Sequence, residues 1–316
     1  MEGRRYKVDM KNSSPPSSSI ALSRRHFLAL AGMMPAALAA PLCLYSSAAA
    51  EPDATRPAGA KRIPIGLELY SVRGELARDL PNTLKAVAKM GYEVVEFYSP
   101  YFKWTAPYAK DVRSQLDDLG LRCYSTHNGF ESFMPADNAA HTVELNQILG
   151  TRYIVLASAP GTSGVDGWKG LCEKLSTAVE QLKPHGLSAG YHNHQAEWAK
   201  LENGQRIIEM IAANTPKEFA LQLDVGTCEE AGADPVAWVK ANPGRIKSMH
   251  LKDWDKKNGY RVLFAEGVTP WKELIAAAES VGGIEYFLIE QEGSRFSEFE
   301  TAQKCLETWK AMFGKG

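Results

Sequence analysis

Apolar residues fall along this chain in short runs, each followed by a longer stretch in which they recur three or four positions apart. The short runs lie near 63–69, 93–97, 121–126, 152–157, 187–192, 219–224, 246–251 and 284–290. Runs of this length and composition predict buried strands. The stretches between them predict amphipathic helices: Leu80, Leu84, Val87 and Ala88 are one example, and Leu171, Leu175, Val179 and Leu182 another. Gly91, Gly120, Gly150, Gly186 and the pair Gly282-Gly283 stand where a helix should stop before the next strand. Eight strand–helix units in about 250 residues favour a closed (β/α)₈ TIM barrel over an open doubly wound sheet. An open sheet should carry a glycine-rich phosphate turn after its first strand. Here that turn reads Tyr70-Ser71-Val72-Arg73-Gly74, with no GxGxxG and no P-loop.

The first 50 residues do not fit this alternation. Ser23-Arg24-Arg25-His26-Phe27-Leu28 is a twin-arginine pattern, the run Ala29 to Leu44 is apolar, and Ala48-Ala49-Ala50 supplies small residues for cleavage. That order predicts a twin-arginine signal peptide over 1–50 and export of the folded protein to the periplasm or another extracytoplasmic space. A membrane span is the alternative, but the apolar run contains Pro35 and Pro41 and is shorter than the roughly 20 residues a bilayer needs. Residues 51–62 read as a linker, and 63–316 as the barrel. The first 50 residues hold six Lys/Arg and two Asp/Glu, so the remainder holds 30 and 35, a net charge of −5. This excludes a basic nucleic-acid surface. Cys123, Cys172, Cys228 and Cys305 are scattered without zinc-type spacing and read as buried single thiols.

Four of the predicted strands end on a metal-ligand-type residue: His192, Asp224, His250 and Glu290. In a barrel, strand C-termini converge on one mouth, so two imidazoles and two carboxylates would meet there as a divalent-metal site. Each has a plainer reading alone. Asp224 suits a helix cap, and His250 a hydrogen-bonded core imidazole. Glu290, however, ends a very apolar strand, where an unpaired carboxylate would cost several kcal/mol. Glu68, Glu96, His127 and His194 fall at or beside other strand ends, with Glu197 and Lys252 slightly farther out. Tyr191-His192-Asn193-His194 packs two imidazoles into three residues, on one side of an extended strand.

In these segments the chain resembles the sugar phosphate isomerase/epimerase branch of the xylose isomerase-like barrels, over about 63–313. The matching pieces include Gly66-Leu67-Glu68-Leu69-Tyr70-Ser71-Val72-Arg73, Gly91-Tyr92-Glu93-Val94-Val95-Glu96, Tyr191-His192-Asn193-His194, Leu223-Asp224-Val225-Gly226, His250-Leu251-Lys252-Asp253, Glu266-Gly267-Val268 and Ile289-Glu290-Gln291-Glu292. The resemblance implies one divalent ion, Mn²⁺ foremost, with Mg²⁺, Co²⁺ or Zn²⁺ as alternatives, held by a Glu, an Asp, a His and a second Glu. Asp224, His250 and Glu290 match the last three. His192 stands where the first glutamate belongs.

In the family's isomerases both ligand carboxylates also move the substrate proton. Here Glu290 remains as the catalytic carboxylate, with Glu197, Glu96 or His127 as the second base, or the reaction is an elimination on a keto-sugar or keto-glycoside instead. His127, His194, Lys252 and Tyr70 are the expected substrate-binding residues, Lys252 as a cation beside an enediolate. Tyr70, Phe130, Trp198 and Trp254 are candidates for stacking on sugar faces. The expected activity is a sugar isomerase or epimerase that abstracts a proton next to a carbonyl. A lyase or hydratase is the near alternative, and a non-catalytic sugar-binding barrel the alternative of another class. An endonuclease would need a richer set of zinc ligands and a basic groove. The expected partners are a small sugar or keto-sugar and, through the signal, the export machinery. A homo-oligomer is left open.

Overall fold

The computed structural model describes residues 62–133 and 136–314; the predicted signal and nearly all of the predicted linker lie outside them. Eight parallel strands close into a barrel in sequence order. They are β1 Ile65–Glu68, β2 Val94–Phe97, β3 Arg122–Asn128, β4 Tyr153–Leu156, β5 Ser188–His192, β6 Ala220–Asp224, β7 Ile246–Leu251 and β8 Tyr286–Ile289. Closure is made where β1 pairs with β8, Leu67 opposite Ile289. All eight strand runs expected from the hydrophobic pattern are present, and the barrel is confirmed.

The helices are α1 Arg73–Arg78, α2 Leu80–Met90, α3 Ala106–Asp118, α4 Ala136–Leu149, α5 Gly164–Leu182, α6 Ile207–Ala213, α7 Val225–Glu230, α8 Pro235–Ala241, α9 Trp271–Val281 and α10 Glu298–Phe313. Local chemistry sets their ends. The Thr105 hydroxyl caps α3, Asp234 caps α8 with Pro235 in its first turn, and Ser297 and Glu300 form a capping box on α10. Gly91 ends α2 at φ 100°, a left-handed turn that glycine adopts without a Cβ penalty. The short α1 and α7 interrupt the simple alternation and were not evident from periodicity, because six-residue helices are too short to show one.

The barrel interior changes character along the strands. Val94, Tyr153, Val155, Ala220, Tyr286 and Leu288 form an apolar cluster separate from the core between sheet and helices. Two residues on from several of these, at the side-chain period of a strand, stand Glu96, Gln222 and Glu290, all buried. The inside is therefore apolar low down and polar toward the C-terminal mouth. Cys123, Cys172, Cys228 and Cys305 are free and buried, as expected. Among the described residues no helix is long and apolar enough to cross a membrane.

Candidate metal and active site at the barrel mouth

The polar upper layer is a continuous hydrogen-bonded cluster. β-sheet register puts Glu68 opposite Glu96, His192 opposite Gln222 and Asp224 opposite His250. Glu96 Oε2 lies 2.8 Å from His250 Nε2 and 3.2 Å from His127 Nε2. Its other oxygen accepts from Ser125 Oγ and from Gln222 Nε2 at 2.9 Å. Gln222 Oε1 in turn meets His127 Nε2 at 2.6 Å and His192 Nδ1 at 3.0 Å. His250 is held between two carboxylates, its Nδ1 lying 2.7 Å from Glu290 Oε2.

Asp224 serves two ends. Its Oδ1 accepts from Thr227 N at 3.0 Å and so caps α7. Its Oδ2 faces inward, 3.6 Å from His192 Nε2 and 3.3 Å from Lys252 Nζ. The cap reading and the ligand reading of this residue are therefore compatible. Asn193 fixes the aspartate from behind: its Oδ1 accepts from Asp224 N at 3.1 Å and its Nδ2 donates to Thr227 Oγ1 at 3.1 Å.

Of the four expected ligands, His192, Asp224 and Glu290 offer donor atoms that all lie within 4.8 Å of one another. His250 groups instead with His127 and His192 in a second set of the same span. Both of its ring nitrogens are hydrogen-bonded to carboxylates, so ligation by His250 would require it to give up Glu290 or Glu96. His127, expected to bind substrate, is a buried member of this imidazole group. His194 is half-buried, with its ring edge-on to His192 at 4.9 Å. Glu197 lies elsewhere in the hydrogen-bond pattern. Its oxygens accept from Tyr191 Oη at 2.8 Å and from His194 N at 2.7 Å, which ties down the turn after β5. Tyr70 stands at the rim, 38% exposed, edge-on to Tyr98 and under the Arg73 guanidinium. Trp198 packs edge-on against Trp238, and Phe130 lines an apolar cavity beside α4 and α5, so both belong to packing.

Gln222 and Ser125 were not singled out from sequence, and Asn193 and Glu292 entered only as members of the quoted segments, without a role of their own. A signal existed for Gln222, a polar residue inside the apolar run Ala220-Leu221-Gln222-Leu223, two positions before Asp224. Glu68 Oε2 accepts from Tyr70 N at 2.7 Å, while its Oε1 is buried without a partner.

The charges explain the protonation states. Burial alone would raise Glu96, but His127 and His250 pull it down to about 2. Burial likewise opposes the low value of Glu290, which the Lys252 ammonium and His250 hold well below the usual carboxylate range. His250 is pushed well above an ordinary imidazole: burial works against this, and Glu96 and Glu290 outweigh it. Burial pushes His192 well down, with the neighbouring His250 and His127 adding to it, and lowers His127 too. Burial and the carboxylate Glu290 drive Glu68 well up; Asp224 rises through burial, against Lys252.

Glu68, Glu96, Asp224 and Glu290 are thus four buried carboxylates sharing one ammonium, Lys252, and one imidazolium, His250. Carboxylates outnumber cations in this cluster, and added positive charge would favour its ionised form. Two carboxylates and an imidazole within ligand span, in an excess of negative charge, fit a divalent cation.

The chain belongs to the xylose isomerase-like TIM barrel family, whose pattern matches residues 84–312. Among solved structures it is similar to a sugar phosphate isomerase/epimerase from Parabacteroides distasonis, at 26% identity and a TM-score of 0.69, covering 84% of this chain and all of that one. It shares the fold of the IOLI protein, solved with a bound zinc atom, at 14% identity and a TM-score of 0.63, over 80% of this chain and 99% of that one. An inosose dehydratase from Clostridium perfringens is 22% identical over 192 residues, which is 61% of each chain, so the match spans about three-fifths of that relative's length.

Proposed function

We propose that this chain is a divalent-metal-dependent carbohydrate isomerase or epimerase that abstracts a proton next to a carbonyl, with Mn²⁺ as the ion. The observation that carries this reading is the buried His192–Asp224–Glu290 donor set amid uncompensated carboxylates at the mouth of a barrel. When bound, the ion would supply Lewis-acid polarisation of the substrate carbonyl and its neighbouring hydroxyl. His192, Asp224 and Glu290 would hold it, with His250 joining on release of one carboxylate.

The remaining work falls to the protein's own groups. Glu290 is ionised at neutral pH and 7% exposed, so it can accept the proton from the carbon next to the carbonyl. Lys252, its ammonium secured by three carboxylates, places positive charge where an enediolate oxygen develops. Glu96 holds His250 and His127 in place, and Tyr70 and Tyr98 offer the rim an aromatic surface. Glu197 fixes the β5 turn and thereby the direction of His192.

Incubation of the Mn²⁺-loaded protein with keto-sugars in D₂O tests this. Recovered sugar should carry deuterium at the carbon beside the carbonyl, and Glu290→Gln should lower turnover about 10²–10⁴-fold. Absence of exchange and of product with every keto-sugar would leave a sugar-binding barrel instead.

A second reading, dehydration of a keto-sugar, is favoured by the imidazole of His192 where a second carboxylate would serve two-base exchange, and by the likeness to inosose dehydratase. The same incubation separates the two, because elimination yields a dehydrated product in place of labelled sugar. We also propose that the enzyme is exported folded, on the strength of the Arg24-Arg25 pattern.

A further inference from the structure

Lys252 follows His250 by two residues, and its side chain turns into the cluster although it carries a full charge. It is 3% exposed. Its Nζ stands 3.3 Å from Asp224 Oδ2 and 3.6 Å from Glu290 Oε1. These two carboxylates belong to the donor set assigned to the ion. Two cations drawn to the same pair of carboxylates repel each other strongly at such distances.

The lysine also has a second seat already built. Nζ is bonded to the Glu292 carboxylate, which is 43% exposed, and lies 4.7 Å over the Tyr260 ring. That seat is anchored: Arg73 donates to the Glu292 backbone carbonyl at 2.8 Å, and Tyr260 Oη donates to Glu230 at 2.5 Å.

Resting on the metal-dependent reading above, we propose that Lys252 is a built-in cation sharing the Asp224–Glu290 cradle with the divalent ion. Without the ion, the ammonium neutralises those carboxylates and lets the site stay folded. Ion binding shifts Lys252 wholly onto Glu292 and Tyr260, toward the mouth, where it meets an incoming substrate oxygen. Metal loading thus presents the lysine to substrate, and the two cations oppose each other's seating by the same factor.

The test is calorimetric titration of metal-stripped protein with Mn²⁺, comparing wild type with Lys252→Met and following melting temperature with and without the ion. Lys252→Met should bind Mn²⁺ roughly tenfold or more tightly. It should also melt lower than wild type without the ion and gain more from it. Equal or weaker Mn²⁺ binding by folded Lys252→Met would overturn the proposal. Binding by Lys252→Met but not by wild type would support the shared cradle and remove the metal reading for the native chain. Binding by neither would end both. Should Lys252→Met fail to fold, acetylation of Lys252 in the wild type, read by mass spectrometry, decides. Mn²⁺ should speed it several-fold, and an unchanged or slower rate overturns the displacement.

Discussion

Glu68 shows at the scale of one residue what this site costs the fold. It is 1% exposed and one carboxylate oxygen has no partner. Burial and the nearby Glu290 push its pKa well above the ordinary range. For an acid shifted this way the penalty is absent below the unfolded pKa, near 4.3, and grows as pH rises above it. In metal-stripped protein, Glu68→Gln should therefore be more stable than wild type at pH 8, by about 1–3 kcal/mol. The gain should shrink toward pH 4, as read by denaturant titration at each pH. A gain that is flat in pH would show that packing, not charge, is at issue. Glu96 behaves oppositely. Its value of about 2, set by His127 and His250 against burial, means that its contribution is present above the unfolded pKa and lost as pH falls toward 2. Neighbouring carboxylates in one cluster thus pull stability in opposite directions, and added positive charge would relieve Glu68.

At the scale of elements, the site depends on how closely α7 approaches β7. A Cβ on Gly226 would lie 2.9 Å from the Lys252 carbonyl oxygen and 3.1 Å from its Cγ. Gly226→Ala should cost about 1–3 kcal/mol and loosen Mn²⁺ binding as well, because Asp224 is the N-cap of α7 and any shift of the helix moves that carboxylate. Unchanged melting and ion affinity would mean that the turn has slack the contact distances do not suggest. The strands that deliver these groups were legible in sequence because a strand buried on both faces is an uninterrupted apolar run, and a polar residue at its end stands out. Asp224 and Glu290 were visible for that reason.

Glu197 was less transparent. Its place after the His192–His194 pair suggested chemistry, whereas its three-residue offset from His194 is also the spacing of a cap, and the structure shows that bond. Ser125 and Gln222 escaped notice because their meaning lies in partners far along the chain: Ser125 meets Glu96 through the pairing of β2 with β3, and Gln222 meets Glu96 and His127 across the barrel. Lys252 was legible as a cation near the mouth, yet its contact with the Asp224 and Glu290 carboxylates depends on side-chain direction that no periodicity encodes.

Over the whole molecule, the barrel is a cooperative object: β1 and β8 pair although more than 200 residues separate them, and the donor set draws on β5, β6 and the end of β8. The donor set is assembled only once β5, β6, β7 and β8 have paired side by side. A route that exports the chain unfolded would leave metal selection to the space outside, where the affinity order favours copper or zinc over manganese. On the proposed route of export after folding, the ion would be chosen in the cytoplasm and carried out in a closed site. The four described cysteines are consistent with such a route, being buried and unpaired on separate elements, so among the described residues no disulfide holds the fold. The expected outcome is definite. Replacing Arg24 and Arg25 by Lys should leave full-length precursor in the cytoplasm, folded and holding Mn²⁺, while the unaltered chain appears shortened in the periplasmic fraction with its ion already bound. Immunoblotting of the two fractions, with metal analysis of the purified protein from each, reads both points. Equal amounts of shortened protein in the periplasm from both versions would remove the twin-arginine route. Copper or zinc in place of manganese in the exported protein would show that the choice of ion is made outside.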